Sequence, residues 1–348
     1  MMTTAFNTAR AYVVHGEDAP AFWAIGNLWR AMATGVQTGN QFCLLDQVCT
    51  DDGGGPPNHT HTQDEGLYVV SGHCTFHAGG ADLSAGPGTF VAVPRLTEHA
   101  FAVDAPGTQL LNFYLPAGFE LLLMGVAVPA ERNEPPPRGT PPLPPRRLVE
   151  RLSADYGEAK VLGLPFADPP TPETMRTSPN PDARALPFGT TAERAPSFWH
   201  AGGRWSVLAS GGQTAGSYCL FEQLMPQGPA APPHLHEGAD EAFYVLDGEL
   251  TFLLGDRQER AREGAFAFVP RGTVHGFRVD SARARILNLY TPPGFERSVA
   301  ALGAPAGAPG LPPPGWTGPE VSAGRRAALF AEIGLRVLAV PDPLRRGA

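Results

Sequence analysis

GGGPPNHTHTQDEGLYVVSG, residues 53–72, and GPAAPPHLHEGADEAFYVLDG, residues 228–248, decide the reading of this chain. In each, a glycine is followed after five residues by two histidines one residue apart, then by a glutamate and, six residues on, by a second glycine. The first set is Gly53, His59, His61, Glu65 and Gly72; the second is Gly228, His234, His236, Glu241 and Gly248. Residues i and i+2 of a strand face the same way, so each histidine pair aims two imidazoles at one side of a sheet. A third histidine follows downstream in both halves: His99 after Gly88 and Pro94, and His275 after Gly264, Pro270 and Gly272. Three imidazoles and one carboxylate suit a first-row divalent ion and leave positions for water or substrate. Structural zinc sites, by contrast, favour thiolates and fill every position. The predicted ligands are therefore His59, His61, Glu65 and His99, with His234, His236, Glu241 and His275 as the second set. Glu65 and Glu241 are also candidate general bases.

Outward from these stretches the chain repeats itself. GNLWRAMATGVQTGNQFCLLDQ from Gly26 returns as GGRWSVLASGGQTAGSYCLFEQ from Gly202, 176 residues on, and NFYLPAGFE ending at Glu120 returns as NLYTPPGFE ending at Glu296. Such a repeat is a duplication of whole domains, with an N-terminal domain expected over 1–170 and a C-terminal domain over 171–348. Segments such as EGLYVVSG, TFVAVP, EAFYVLDG and AFAFVP read as short strands between Gly-rich turns, which predicts an all-β fold of two jelly-roll barrels. Each barrel should lead through a Pro-rich run, from Pro135 and from Pro305, to a helix (RRLVERLSADYG from Arg146, RRAALFAEIG from Arg325) and a short apolar run (VLGLP, VLAVP). Alternation from the ligands points Leu67, Val69, Phe101 and Val103 inward in the first barrel and Phe243, Val245, Phe277 and Val279 in the second. These are candidates to line a substrate pocket, and the same positions would serve as plain barrel core.

Composition removes other classes. The 348 residues carry a formal net charge of -8 with no long basic run, which argues against nucleic acid as a partner. No stretch of about 20 apolar residues could span a membrane, and MMTTAFNTAR has no secretory pattern, so the expected location is cytoplasmic. Cys43, Cys49, Cys74 and Cys219 form neither a CxxC nor a disulfide framework and are expected as buried thiols. His15, His73, His77 and His200 stand outside any ligand pattern and read as surface or core residues. Lys160 is the lone lysine among 26 Lys and Arg residues, a bias typical of a GC-rich bacterial genome.

The two motifs match those of the cupin superfamily, G(X)5HXH(X)3-4E(X)6G and G(X)5PXG(X)2H(X)3N. The second motif departs at Leu96, where glycine is usual, and at Val103 and Val279, where asparagine is usual. Over nearly its whole length the chain resembles the bicupin quercetin 2,3-dioxygenases. That resemblance implies a mononuclear metal in each domain, Fe first, with Mn, Ni, Co or Cu as alternatives. It also implies a flavonol or related aromatic substrate, dioxygen as co-substrate, and Glu65 or Glu241 as base. A bicupin decarboxylase of the oxalate decarboxylase type, or a metal-binding cupin without catalysis, would share the ligands. The absence of arginine from the eight inward positions favours the aromatic substrate over oxalate. A homodimer is the assembly left open by this reading.

Overall fold

The computed structural model describes residues 9–50, 55–56, 58–137, 145, 147–148, 151, 166–167, 185–339 and 342–345. The chain forms two all-β units with a few short helices. In the unit built mainly from residues 195–348, an eleven-stranded sheet is dominated by two long strands, Cys219–His236 and His275–Thr291, which run antiparallel. Cys219–His236 carries Pro226, Pro229, Pro232 and Pro233, which cannot donate to a ladder. Its register accordingly shifts at three places between Pro226 and His234. The bulges bend one strand across the barrel. In the other unit the same ground is covered by an eight-stranded and a three-stranded sheet, because its counterparts are broken into Cys43–Val48, His99–Val103 and Gln109–Leu115.

The cores follow from alternation. Cys74, Phe76 and Ala78 of the strand Cys74–Ala78 are buried while Thr75 and His77 look outward. In the C-terminal barrel Phe243, Phe252 and Phe277 meet at ring distances of 5.1 to 5.8 Å, each burial contributing roughly 1.5–3 kcal/mol. Helices Phe119–Val126 and Phe295–Leu302 follow the barrels, and the helix expected from Arg325 is present as Ala323–Glu332. VLAVP begins in a strand, Leu335–Val337, which pairs with His234–His236. RRLVERLSADYG and VLGLP lie largely or wholly outside the described residues. No described helix is long and apolar enough to cross a membrane.

A cut at residue 170 does not separate the two units. Tyr12–His15 pairs with Ala265–Val269 in the C-terminal unit, and Phe188–Thr191 pairs with Thr89–Val93 in the N-terminal one. Both receiving strands are buried along their whole length and need a partner on their open edge. Which flanking segment supplies it is a long-range matter that local pattern does not encode.

One turn positions the third histidine in each unit. Thr97 N donates to Pro94 O at 3.2 Å, and Thr273 N to Pro270 O at 3.1 Å. The same turns reach back to the histidine pairs, Leu96 N to His61 O at 2.8 Å and Gly272 N to His236 O at 2.7 Å. The third turn residue needs positive φ, and Leu96 at 67° adopts the conformation that Gly272 takes at 81°. A Cβ on Gly272 would meet nothing within 4 Å, so a substitution there costs backbone strain alone. Gly272→Ala should destabilise the protein by about 1–2 kcal/mol and Leu96→Gly should stabilise it by up to about 1 kcal/mol, both read from urea unfolding midpoints.

Candidate metal centres and cavity

In the C-terminal unit, His234 and His236 end the long strand, and His275 opens the strand that faces it, directly across from His234. Glu241 is the second residue of Asp240–Asp247 and lies opposite Tyr290. The four side chains place one ligand atom each within 4.8 Å of all the others. In the N-terminal unit His59 forms an isolated bridge to His99, and the rings of His59, His61 and His99 converge in the same way. Glu65 Oε2 lies beside two of these rings, 3.2 Å from His61 Nε2 and 2.9 Å from His99 Nε2. The structure thus brings together four of the expected ligands in the C-terminal unit and three histidines in the N-terminal one, with Glu65 beside His61 and His99.

Hydrogen bonding sets the ring tautomers. Nδ1 of His61, His99, His234 and His275 each lies 2.8 to 2.9 Å from a backbone carbonyl, of Gln63, Thr97, Pro232 and Thr273 in turn. A carbonyl only accepts, so these Nδ1 atoms carry the proton and a neutral ring presents a bare Nε2 to the centre. In the C-terminal unit His275 Nε2 is 2.7 Å and His236 Nε2 3.2 Å from Glu241 Oε2, and the buried His236 Nε2 finds no hydrogen-bond partner. Lone pairs facing a carboxylate at this range call for a cation between them, a proton or a metal. Neighbouring ligands of an octahedral ion at about 2.1 Å would stand about 3 Å apart, so the donor set fits a divalent metal.

Electrostatics agree. Burial alone would raise Glu65 and Glu241, but the rings that face them, His61 and His99, and His236 and His275, outweigh it and hold both carboxyls well below the usual range. Burial, then the neighbouring His275, pushes His234 down to about 3. Its ring is neutral at pH 7.

The residues around the centres were not singled out from the sequence. Tyr114 stacks on Phe119 at 4.2 Å and Tyr290 on Phe295 at 4.5 Å, each phenol beside its glutamate and pushed up by burial and by that charge. Asn288 Nδ2 donates to Glu241 Oε1 at 2.9 Å and is itself held by Gln223 Nε2 at 2.6 Å. The counterpart Asn112 turns instead to Gln47 Oε1 at 3.3 Å. Asp64 and Asp240, next to the glutamates, bind Arg95 and Arg271 through two-pronged ion pairs that tie down the turn before the third histidine. The signal was present in the repeat, since Gln47, Asn112 and Tyr114 recur as Gln223, Asn288 and Tyr290. Recurrence alone does not mean chemistry. Glu120 and Glu296 recur too, yet their carboxylates accept backbone N–H groups of Gly35 and Gly118, and of Gly211 and Gly294, and fasten loops.

A cavity of about 690 Å³ opens onto His234 and Glu241. Trp205, Phe277, Tyr290 and Phe295 give it aromatic walls, and Trp316 and Phe330 from the C-terminal segment close it. Of the eight side chains expected as pocket lining, Phe277 lines this cavity. Phe243, Val245 and Val279 are packed in the barrel core behind it. Leu67, Val69 and Phe101 are buried in the core of the other unit, with Val103 packed against it. The reason is depth: inward positions beyond the ligand layer meet the opposite sheet. The cavity also takes in His200 and Arg326, so arginine, missing from the eight inward positions, does reach it from the C-terminal helix. The other histidines sit outside the centres, with His73 against Asp104, His77 against Asp82 and His15 against Arg262. All four cysteines are buried free thiols.

Comparison with known proteins agrees with this geometry. A family model described as the cupin domain matches residues 47–111 and 220–290. Quercetin 2,3-dioxygenase of Bacillus subtilis (strain 168) is 25% identical over 277 residues, covering 79% of this chain and 80% of that protein. An uncharacterized protein of Aquifex aeolicus is 35% identical over 60 residues, 17% of this chain and 50% of the relative. Among solved structures, oxalate decarboxylase OxdC of Bacillus subtilis superposes with a TM-score of 0.54 at 14% identity, over 82% of this chain and 78% of that one. Protein Ylba from E. coli superposes with a TM-score of 0.52 at 12% identity, over 82% and 92%. These two likenesses speak for the fold.

Two outcomes follow from the unequal surroundings. Asn288→Ala strips a buried carboxylate oxygen of its donor and should cost about 2–3 kcal/mol in urea unfolding, more than Asn112→Ala, whose amide serves a neutral partner. Burial, then the charge of Arg326, holds His200 at about 4 against an ordinary 6.5. The unfolded chain therefore takes up a proton first, and stability should fall as pH drops from 6.5 towards 4. His200→Phe should flatten the unfolding midpoint over that window.

Proposed function

We propose that this chain, a bicupin with two cupin domains, is a metal-dependent dioxygenase that opens an aromatic ring system of the flavonol kind, working chiefly at its C-terminal centre. The observation that carries the proposal is the 690 Å³ cavity, which joins an open three-histidine, one-glutamate centre to a wall of aromatic rings. The ligands would be His234, His236, His275 and Glu241, with His59, His61, His99 and Glu65 holding a second ion. Iron is the first expectation, and Mn, Ni, Co and Cu suit the same nitrogen and oxygen donors. A bound divalent ion would act as a Lewis acid, lowering the pKa of a substrate hydroxyl and serving as template for dioxygen.

The protein's own residues set the rest. Tyr290, Phe295, Phe277 and Trp205 present a dry, flat-walled space that orients a planar substrate and excludes water. Glu241 Oε1 is held by Asn288, so the carboxylate is aimed before substrate arrives, with Oε2 turned to the ring of His275. It would take the proton of the substrate hydroxyl at Oε2. Glu65 would act likewise at the other centre, without the Asn288-type brace. The similarity to quercetin 2,3-dioxygenase supports this reading. One observation favours the decarboxylase alternative: Arg326 in the cavity offers a cation for a carboxylate. The space, however, far exceeds a small dicarboxylate, which would leave most of the aromatic wall uncovered.

Purified and reconstituted protein should hold close to two ions per chain by elemental analysis, with His59→Ala and His234→Ala each removing one. An oxygen electrode should record uptake with flavonols or hydroxyquinones, and Glu241→Gln should lower turnover by about 10²-fold or more while Glu65→Gln has the smaller effect. Carbon dioxide release from oxalate without oxygen uptake would replace this reading with the decarboxylase one.

A further inference from the structure

The cavity carries a charge asymmetry that the ligand set does not explain. Of the charged side chains that line it, Glu241 is committed to His275, His236 and Asn288, and Arg326 remains as the cation. No carboxylate among the described residues forms an ion pair with Arg326. It stands with Arg325 in the first turn of Ala323–Glu332, a turn with no acidic residue, where the helix dipole already places positive charge. Arg326 is exposed at the cavity mouth, within reach of an anion held in the cavity. His200, on the same cavity wall, is kept neutral by burial and by the charge of Arg326, so it adds a hydrogen-bonding ring and no second cation. The wall is held in place because Leu335–Val337, just past the helix, is hydrogen-bonded to the strand of His234 and His236. In the N-terminal barrel Ala24, fully buried, stands where His200 stands in the repeat.

Resting on the reading of this cavity as the substrate site, we propose that it selects an aromatic acid. The flat ring system lies along Tyr290, Phe295 and Trp316, and an anionic group remote from the metal-binding end pairs with Arg326 beside His200. The two centres then differ in what they accept, because the N-terminal wall has alanine in place of His200.

A matched pair of dyes tests this on the full chain without turnover: 1-anilinonaphthalene-8-sulfonate, and N-phenyl-1-naphthylamine, which lacks only the sulfonate. Fluorescence titration at low ionic strength should show the sulfonate dye weakened about tenfold by Arg326→Gln, as expected for a lost charge-assisted hydrogen bond. The neutral dye should be nearly unchanged, and Arg325→Gln should move neither. Equal weakening of both dyes, no change in their ratio, or the same effect from Arg325→Gln would overturn the proposal, since each denies Arg326 a specific role towards the anion. Failure of every substrate in the oxygen electrode would sink the oxygenase reading and leave the dye ratio standing.

Discussion

Both metal centres depend on one backbone pairing, in which the strand end bearing the histidine pair lies antiparallel to the start of the strand bearing the third histidine. His59 and His99 exchange both of their backbone hydrogen bonds at 3.0 Å, and His234 is in register with His275. That pairing brings residues some 40 positions apart to ring contact, at 4.3 and 4.1 Å between centroids. The turn ending at Thr97 or Thr273 bonds back to His61 or His236 and closes the loop around the site. Four of the six imidazoles, His61, His99, His234 and His275, are then clamped through Nδ1 to a carbonyl two residues away, leaving Nε2 for the centre. The fold spends backbone hydrogen bonds, which are needed in any case, on orienting ligands.

Around this shared frame the two units have diverged. The amide of Asn288 braces Glu241, whereas that of Asn112 rests on Gln47, and the strand bearing the histidine pair is continuous in one unit and reduced to a bridge in the other. A braced carboxylate resists displacement by water or by a wrong ligand, which fits the centre that faces the large cavity. Leu96 marks the same divergence at the level of the backbone. It keeps the left-handed turn that glycine makes at low cost, because the turn's bonds to His61 and Pro94 over-determine its shape.

The cavity owes its character to a segment outside the barrel. Helix Ala323–Glu332 and the loop at Trp316 bring Phe330, Trp316 and Arg326 over the ligands, and the strand Leu335–Val337 anchors them by pairing with the histidine strand. The metal-binding strand therefore has two roles: one face offers imidazoles and its free edge holds the wall. Substitutions in the C-terminal segment are expected to alter what enters without altering what the centre can do.

The sequence by itself determined the duplication and the all-β class, and it pointed to the side chains that gather in the two candidate centres. Each is written in short-range spacing: a period of two along a strand, a glycine at a tight turn, and a repeat at constant offset. The expected helix at RRAALFAEIG and the buried thiols were legible for the same reason. Only the tertiary structure decided the rest. Edge pairing placed Tyr12–His15 and Phe188–Thr191 in the units opposite to their position in the chain. The depth of the barrel turned seven of the eight inward apolar residues into core and left Phe277 in the cavity. Tyr290 and Asn288 from one strand, His200 from another and Arg326 from a helix come together at the site, and no local pattern tells which way a strand's inner face is closed. Spacing along the chain encodes which side chains share a face; what that face meets depends on contacts between residues far apart in sequence, and those exist only once the sheets have packed.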